Sequence, residues 1–136
     1  MLGSPSRRAR AAVVIGCALA GVLLFAVFRA TWPVSVDSLC GEFRSEMGGT
    51  INVNKNRSFV VEDVTFLSEC GKISGSGQLQ LTLGRGVSEV SLPVEEAKTV
   101  LDLKVRRNWK GEIILWHWID DPDTGLRETF VQMSSC

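Results

Sequence analysis

The chain has 136 residues, with fifteen Lys and Arg, fifteen Asp and Glu and a single histidine, which suits one small domain. All fifteen acidic residues but only eleven of the basic ones follow residue 31, so this part of the chain carries a net charge of −4. An acidic balance argues against nucleic acid or anionic lipid as its partner.

Residues 11–28 form an unbroken run of eighteen apolar or small residues with arginines on both sides. As a helix, this run would span ~27 Å at ~1.5 Å per residue, close to the hydrocarbon thickness of a bilayer. It is longer than the ~7–15 apolar residues of a secretory signal, and bulky Phe28 stands where cleavage after Ala30 requires a small residue. We therefore predict an uncleaved membrane anchor over 11–30, with a cleaved signal as the alternative.

The charges around this run predict its orientation. Three arginines precede it and one follows closely, which places the N-terminus in the cytoplasm and the rest of a single-pass chain outside the cell membrane. The predicted organisation is a cytoplasmic basic tail, a transmembrane helix, a linker and an extracytoplasmic domain, at residues 1–10, 11–30, 31–38 and 39–136 respectively.

The extracytoplasmic domain has the pattern of an all-β protein. After Pro33, short alternating runs recur between turn residues, and residues 78–83 place three leucines on one face and polar side chains on the other. The predicted strands are residues 39–45, 50–54, 58–63, 77–83, 88–92, 100–105, 112–119 and 127–133. Because short turns join neighbouring strands in antiparallel pairs, the pattern predicts an eight-stranded up-and-down barrel without exposed sheet edges.

The first two predicted hairpins carry the motifs of a known type of barrel. Residues 39–44 are LCGEFR, residues 48–53 are GGTINV and residues 56–59 are NRSF. This opening resembles that of small lipocalin-like (calycin-type) barrels, which begin with a Leu-x-Gly-x-aromatic strand and a Gly-Gly hairpin. Residues 74–79 and 121–125 are also similar to segments of uncharacterised secreted or membrane-anchored proteins of high-GC Gram-positive bacteria. The resemblance implies a fold over most of the domain but no activity.

Four cysteines divide between the two parts of the chain. Cys17 lies in the predicted membrane segment, whereas Cys40, Cys70 and Cys136 lie outside, where disulfides persist. Three cysteines allow one bridge and one remaining thiol. If the strands alternate in direction, the start of the first and the end of the last meet at one end of the barrel, which pairs Cys40 with Cys136. A Cys40–Cys70 bridge is the alternative.

Candidate catalytic residues are scarce. His117 is the only histidine, and both faces of residues 113–119 are apolar or aromatic, so we interpret it as a packed or interface histidine. No serine has the Gly-x-Ser-x-Gly context, and no nucleophile comes with a local base. We therefore expect neither an enzyme nor a bound cofactor.

An acidic cluster at Asp120, Asp121 and Asp123 is the best candidate for a metal site. Carboxylates and nearby carbonyls suit Ca²⁺ outside the cell. However, the EF-hand spacing is absent, and Asp is common in turns because it bonds its own backbone. We favour a structural hairpin, with calcium as the weaker alternative.

Three tryptophans indicate a ligand or partner surface, together with His117. Trp109, Trp116 and Trp118 lie in the region of the seventh strand, where Trp116 and Trp118 share one face with Ile114. If that face points inward, it lines a packed core or a small pocket. If it points outward, it forms the kind of aromatic patch that marks a partner surface. We expect the inward arrangement and a mostly filled barrel.

Two functions follow from these observations. The first is a membrane-tethered binding module that engages an envelope protein or glycan, with no nucleic acid as partner. The second is a carrier or sensor of a small apolar ligand in a calycin-like cavity. A Trp-lined cavity of a few hundred Å³ would favour the carrier. A solid core with an exposed aromatic patch would favour the binding module.

Overall fold

The computed structural model describes residues 6–31, 33–67, 71–81 and 86–136. One helix, α1, precedes an all-β domain and spans Arg7–Thr31. The strands are β1 (Gly41–Ser45), β2 (Thr50–Val53), β3 (Ser58–Leu67), β4 (Gly71–Gln78), β5 (Gln80–Leu81), β6 (Glu89–Val94), β7 (Thr99–Arg107), β8 (Ile113–Trp118) and β9 (Arg127–Ser135).

Helix α1 is apolar around its circumference over residues 11–28 and is largely exposed, and it approaches the barrel at β7. The Ser6 hydroxyl accepts a hydrogen bond from the Ala9 N–H at 3.3 Å, which caps the first turn. The segment Arg7–Phe28 is long and apolar enough to cross a membrane. An N-terminal helix of this kind serves as a membrane anchor or as a signal sequence.

The nine strands form one antiparallel sheet that curls into a nearly closed barrel. Their order is β4-β3-β2-β1-β9-β8-β7-β6-β5. The first and last strands are therefore neighbours, with Arg44 opposite Val131. The sheet curls until β4 contacts β6, and we call this line of contact the seam.

The prediction of eight strands is wrong, because the predicted strand 77–83 changes partner partway along. β4 ends at Gln78 and pairs with β3, whereas β5 pairs with β6 and places Gln80 opposite Ser91. Between them, the Leu79 N–H donates to the Arg57 carbonyl at 2.9 Å. The chain thus changes from pairing with β3 to pairing with β6 between Gln78 and Gln80. This change brings the two edges of the sheet together. Residues 82–83 lie outside the described residues.

Two glycines explain why a Ser-Gly-Ser-Gly segment forms a strand. A Cβ atom at Gly77 would collide with the Pro93 carbonyl oxygen, and one at Gly75 would collide with the side chains of Val94 and Glu96. Only glycine lets β4 come this close to β6. The composition is typical of a turn, but the close approach at the seam requires it.

A single carboxylate fastens the seam. Glu96 accepts hydrogen bonds from the Ser76 backbone N–H at 2.8 Å and from the Ser76 hydroxyl at 3.0 Å. The Glu95 N–H donates to the Ser76 carbonyl at 3.4 Å. The hydrogen bond from the Ser76 N–H lowers the pKa of Glu96 below its ordinary value of 4.5, because it stabilises the ionised carboxylate.

We expect this carboxylate to make the stability of the barrel depend on acid pH. A lowered folded-state pKa adds stability that is fully present above the unfolded value of 4.5 and is lost as the pH falls through the folded value. Melting temperatures at a series of acid pH values should fall less steeply for Glu96→Gln than for the wild type. Glu95→Gln, a change at the exposed neighbour, is the control and should keep the wild-type slope. An unchanged slope in Glu96→Gln would contradict the assignment.

The interior of the barrel is filled. Its largest side chains, Phe43, Phe59 and Phe130, are almost completely buried and belong to one continuous apolar core. Aliphatic side chains from β2, β3, β6, β7 and β8 complete that core. A barrel of this size has room for such side chains and for little else.

The packed part of the domain begins before the first strand. Val34 is only 4 % exposed and belongs to the core, and its carbonyl accepts the Val87 N–H at 2.9 Å. A short 3₁₀-helix, Asp37–Leu39, then buries Leu39. Of the linker predicted over 31–38, the part from Val34 onward therefore packs against the barrel.

A disulfide ties the two ends of the domain. Gly41 lies opposite Ser135 in the β1–β9 pair, so the residues just outside this pair, Cys40 and Cys136, are neighbours. They are bonded, with their Cα atoms 5.5 Å apart. This is the first of the two predicted pairings. Cys70, on which the alternative depends, lies outside the described residues, and Cys17 in α1 is free and exposed.

Candidate functional site

The two ends of the barrel differ in what they present. The end where Val34 enters, here called the tether end, carries the loops 33–40, 54–57, 86–88 and 108–112. The opposite end, called the far end, carries the loops 46–49, 95–98 and 119–126. Because the strands alternate in direction, every turn is assigned to one end or the other.

Strand β8 turns its tryptophans outward. Leu115 and His117 are buried, whereas Trp116 and Trp118 are half-buried on the opposite face. The expectation that the tryptophan face points inward is therefore wrong. Both faces of this strand are apolar in sequence, and the three core phenylalanines leave no interior space for two indoles.

The outward face of β7, β8 and β9 combines aromatic rings with cations. The Trp116 and Trp118 rings meet edge to face with centroids 5.3 Å apart. Lys104 Nζ lies 5.0 Å from the Trp116 centroid, and the Arg127 guanidinium carbon lies 5.4 Å from it. We call these four residues the aromatic face.

Strand register builds the aromatic face. Lys104 on β7 lies directly opposite Trp116, and Arg127 on β9 lies directly opposite Trp118. Both cations are attracted to the Trp116 ring by cation–π interaction. Half-exposed tryptophans next to arginine are the composition of interface hot spots.

Trp109 does not belong to this face. It lies in the β7–β8 turn at the tether end, is 70 % exposed, and has Lys110 Nζ 5.4 Å from its ring. The Asn108 side chain orders this turn by accepting the N–H groups of Lys110 and Glu112. Trp109 is therefore close to Trp116 and Trp118 in sequence but belongs to a different surface of the barrel.

His117 is buried beside a carboxylate that sequence reasoning missed. Its exposed fraction is 6 %, and Nε2 lies 3.4 Å from Glu128 Oε2. Phe130 stacks on the imidazole with ring centroids 6.3 Å apart. The alternation in 127–133 signals this arrangement, because Glu128 lies two residues before the core residue Phe130 and therefore on the same face of β9.

The Glu128 carboxylate lies entirely within the barrel. Oε2 also accepts the Thr65 N–H at 2.9 Å, while Oε1 has no hydrogen-bond partner in the described part of the chain. Oε1 points toward Gly49, where a Cβ atom would approach it to 2.7 Å. The cluster of His117, Glu128 and Thr65 is a polar spot in an apolar core, closed to solvent.

The acidic cluster at the far end forms a turn. The Asp121 side chain accepts the Asp123 N–H at 2.9 Å and caps the 3₁₀-helix Pro122–Thr124, which ends at Gly125 with φ 71°. Asp120, Asp121 and Asp123 are exposed. Among the described residues, no group of three or more His, Cys, Asp or Glu side chains is arranged to hold a metal ion.

A pocket of about 330 Å³ opens at the tether end. Its apolar wall includes Leu39, Val53 and Leu79, and its rim includes Lys55 and Arg57. No tryptophan lines it. It is therefore distinct from the Trp-lined cavity that the carrier hypothesis describes.

No protein-family model matches the chain, and no curated protein or solved structure is significantly similar to it. The architecture is a nearly closed antiparallel barrel preceded by one apolar helix. The functional proposal therefore depends on the geometry of the barrel.

Proposed function

We propose that the protein is a single-pass, membrane-anchored, lipocalin-like barrel that acts outside the cell as a binding module for an envelope protein or glycan. The observation that carries this proposal is the aromatic face on the outside of a filled barrel. A solid core leaves the outer surface and the ends as places to bind.

The anchor supports this location. Helix α1 is long enough to span a bilayer, and arginines before its apolar run favour a cytoplasmic N-terminus. The Cys40–Cys136 bridge agrees with an extracytoplasmic barrel, because structural disulfides persist in oxidising compartments. The module would thus act close to the outer membrane surface.

The aromatic face has the features of a contact surface. The Trp116 and Trp118 rings already contact each other and Lys104 lies over the Trp116 ring, so a partner would order few additional side chains. Hot-spot residues of this type each contribute ~2 kcal/mol or more to a complex. The cations favour a partner with carboxylates or other acidic groups beside an apolar patch.

Removing both rings should strongly reduce partner capture. In cells that express the full chain, with a photo-crosslinker at Thr129, directly opposite Trp116 on β9, the wild type should yield a discrete crosslinked species. Trp116→Ala/Trp118→Ala should reduce its yield by about tenfold or more, the change expected when at least ~1.4 kcal/mol of binding is lost. Trp109→Ala is the matched control, since it removes an exposed tryptophan elsewhere, and should retain the wild-type yield. Equal yields from the double variant and the wild type would sink the proposal.

A second candidate function is a carrier or sensor of a small apolar ligand. The observation that favours it is the 330 Å³ pocket at the tether end, which lies in the lower part of the ~300–1,000 Å³ range of small-molecule sites. Native mass spectrometry of the full chain released from membranes would show a retained ligand as a discrete mass increment. A spectrum of ligand-free protein alone would count against this function.

A further inference from the structure

The short connection between α1 and the barrel fixes the position of the tether-end pocket. Val34, which is held in the core, lies three residues after Thr31, the last helical residue. A fully extended chain of three residues reaches only ~10–11 Å. With α1 in a bilayer, the tether end must therefore lie at the level of the lipid headgroups.

The pocket has an apolar wall. Leu39, Val53 and Leu79 belong to the buried core and also line the pocket, and Val36 adds a partly buried side chain. The pocket thus exposes the tether end of the apolar core to a bound molecule. Filling it with hydrocarbon removes apolar surface from water at ~25 cal/mol per Å².

The rim of the pocket is cationic. Lys55 and Arg57 lie in the exposed β2–β3 turn, and the described hydrogen bonds of Arg57 use only its backbone, to Asn54 and Leu79. Neither cation has an ion-pair partner among the residues that the structure describes. Asp37 is the one acidic side chain of the lining. Both cations are therefore available to an anionic group.

Charge is distributed unevenly along the barrel. The described far-end loops carry six carboxylates and one lysine, whereas the described tether-end loops carry three cations and two carboxylates. At the same end, β7 adds Arg106 and Arg107, while β1 and β6 add Glu42 and Glu89. The net charge of −4 therefore resides mainly at the far end. The tether end, which faces the membrane, has no excess of negative charge in its loops that would repel an anionic lipid.

We infer that the tether-end pocket binds one single-chain anionic lipid taken from the adjacent membrane. The chain packs against Leu39, Val53 and Leu79, and the carboxylate or phosphate headgroup is held by Lys55 and Arg57. A volume of about 330 Å³ suits one chain and not two. The site lies beside the 3₁₀-helix at the end of the barrel, because the interior is filled. This inference depends on the proposed anchoring and specifies the ligand of the second candidate function.

Photolabelling tests the site directly. The full chain is incorporated into phosphatidylcholine nanodiscs with dodecanoate that carries a diazirine on its chain, then irradiated and mapped by peptide mass spectrometry. We expect labels on peptides that contain Leu39, Val53 or Leu79. A lysophosphatidylglycerol with the same diazirine chain forms a second arm, and comparison of the two arms tells whether a carboxylate or a phosphate is preferred.

Two matched turn variants separate charge from structure. Arg57 and Lys98 both adopt left-handed backbone conformations, with φ 66° and φ 50°, which asparagine tolerates. Lys55→Asn/Arg57→Asn should reduce pocket labelling by about tenfold, the loss expected for charged hydrogen bonds. Lys98→Asn at the far end should label like the wild type.

Three results would overturn the inference. These are labels confined to α1, undiminished labelling in the Lys55→Asn/Arg57→Asn variant, and equal pocket labelling by the uncharged methyl ester of the probe. The crosslinking test of the aromatic face is independent, since it reads Trp116 and Trp118 on a different surface. Failure of one proposal is thereby distinguishable from failure of the other.

Discussion

His117→Leu is expected to lower the free energy of unfolding of the barrel by about 3 kcal/mol, the scale seen when one partner of a buried polar pair is removed. Glu128 is fully buried, and its Oε1 atom already has no partner among the described residues. Without the imidazole, the Thr65 N–H is the remaining hydrogen-bond donor to this carboxylate in the described part of the chain. Thermal unfolding of the full chain, followed by circular dichroism, measures the loss.

A second substitution shows whether the loss of stability comes from leaving the Glu128 carboxylate buried without its imidazole partner. Glu128→Gln keeps an oxygen that can accept the Thr65 N–H but removes the acidic group. In the His117→Leu background it should restore part of the stability, with a coupling energy of about 1–2 kcal/mol. Val100→Ala, at an exposed position on β7, should change stability by less than ~0.5 kcal/mol. Strictly additive effects of the two substitutions would show that His117 and Glu128 are not coupled.

Removal of the disulfide should have an effect of at least that size. Cys40 and Cys136 are 96 residues apart in sequence, and opening a loop of that length costs about 4 kcal/mol by loop-closure entropy. For a domain of this size, the melting temperature of Cys40→Ala/Cys136→Ala should fall by roughly 15–30 °C. Replacing both cysteines avoids a new free thiol that would confuse the comparison.

Cys17 provides the control for the disulfide. It is free and lies in α1, so Cys17→Ala should leave the melting temperature of the barrel unchanged. The wild type under reducing conditions should melt like the double variant. A double variant that melts within a few degrees of the oxidised wild type would show that the bridge adds little to the sheet pairing between β1 and β9.

Local sequence patterns predicted the parts of the fold that depend on local interactions. The hairpins of β1 with β2, β6 with β7 and β8 with β9 follow from alternating runs joined by short turns, because register there is set by side-chain alternation. The position of β4 was missed, since Ser-Gly-Ser-Gly forms a strand only when β6 lies against it. The contact of β4 with β6, rather than the preferences of its residues, determines that this segment forms a strand.

Two features of the site show the same limit. Both faces of β8 are apolar, so alternation identified the pair of Trp116 and Trp118 but not the direction in which they point. Glu128 was missed because a charged residue in a strand is ordinarily exposed. The alternation along β9 places it on the same face as Phe130, and its partner becomes evident when β9 lies beside β8 and places it opposite His117. Total charge likewise conceals the difference between the two ends of the barrel.

The neighbouring positions of β1 and β9 determine the order in which the chain can fold. Strands β1–β4 and β6–β9 are each chains of sequential hairpins, which form from contacts near in sequence. The pairing of β1 with β9 joins residues about ninety positions apart, and it requires the last strand of the domain. Each half can therefore assemble from its own hairpins, but the edge of β1 stays unpaired until β9 is in place. During that interval the unpaired edge of β1 makes the protein most prone to aggregation.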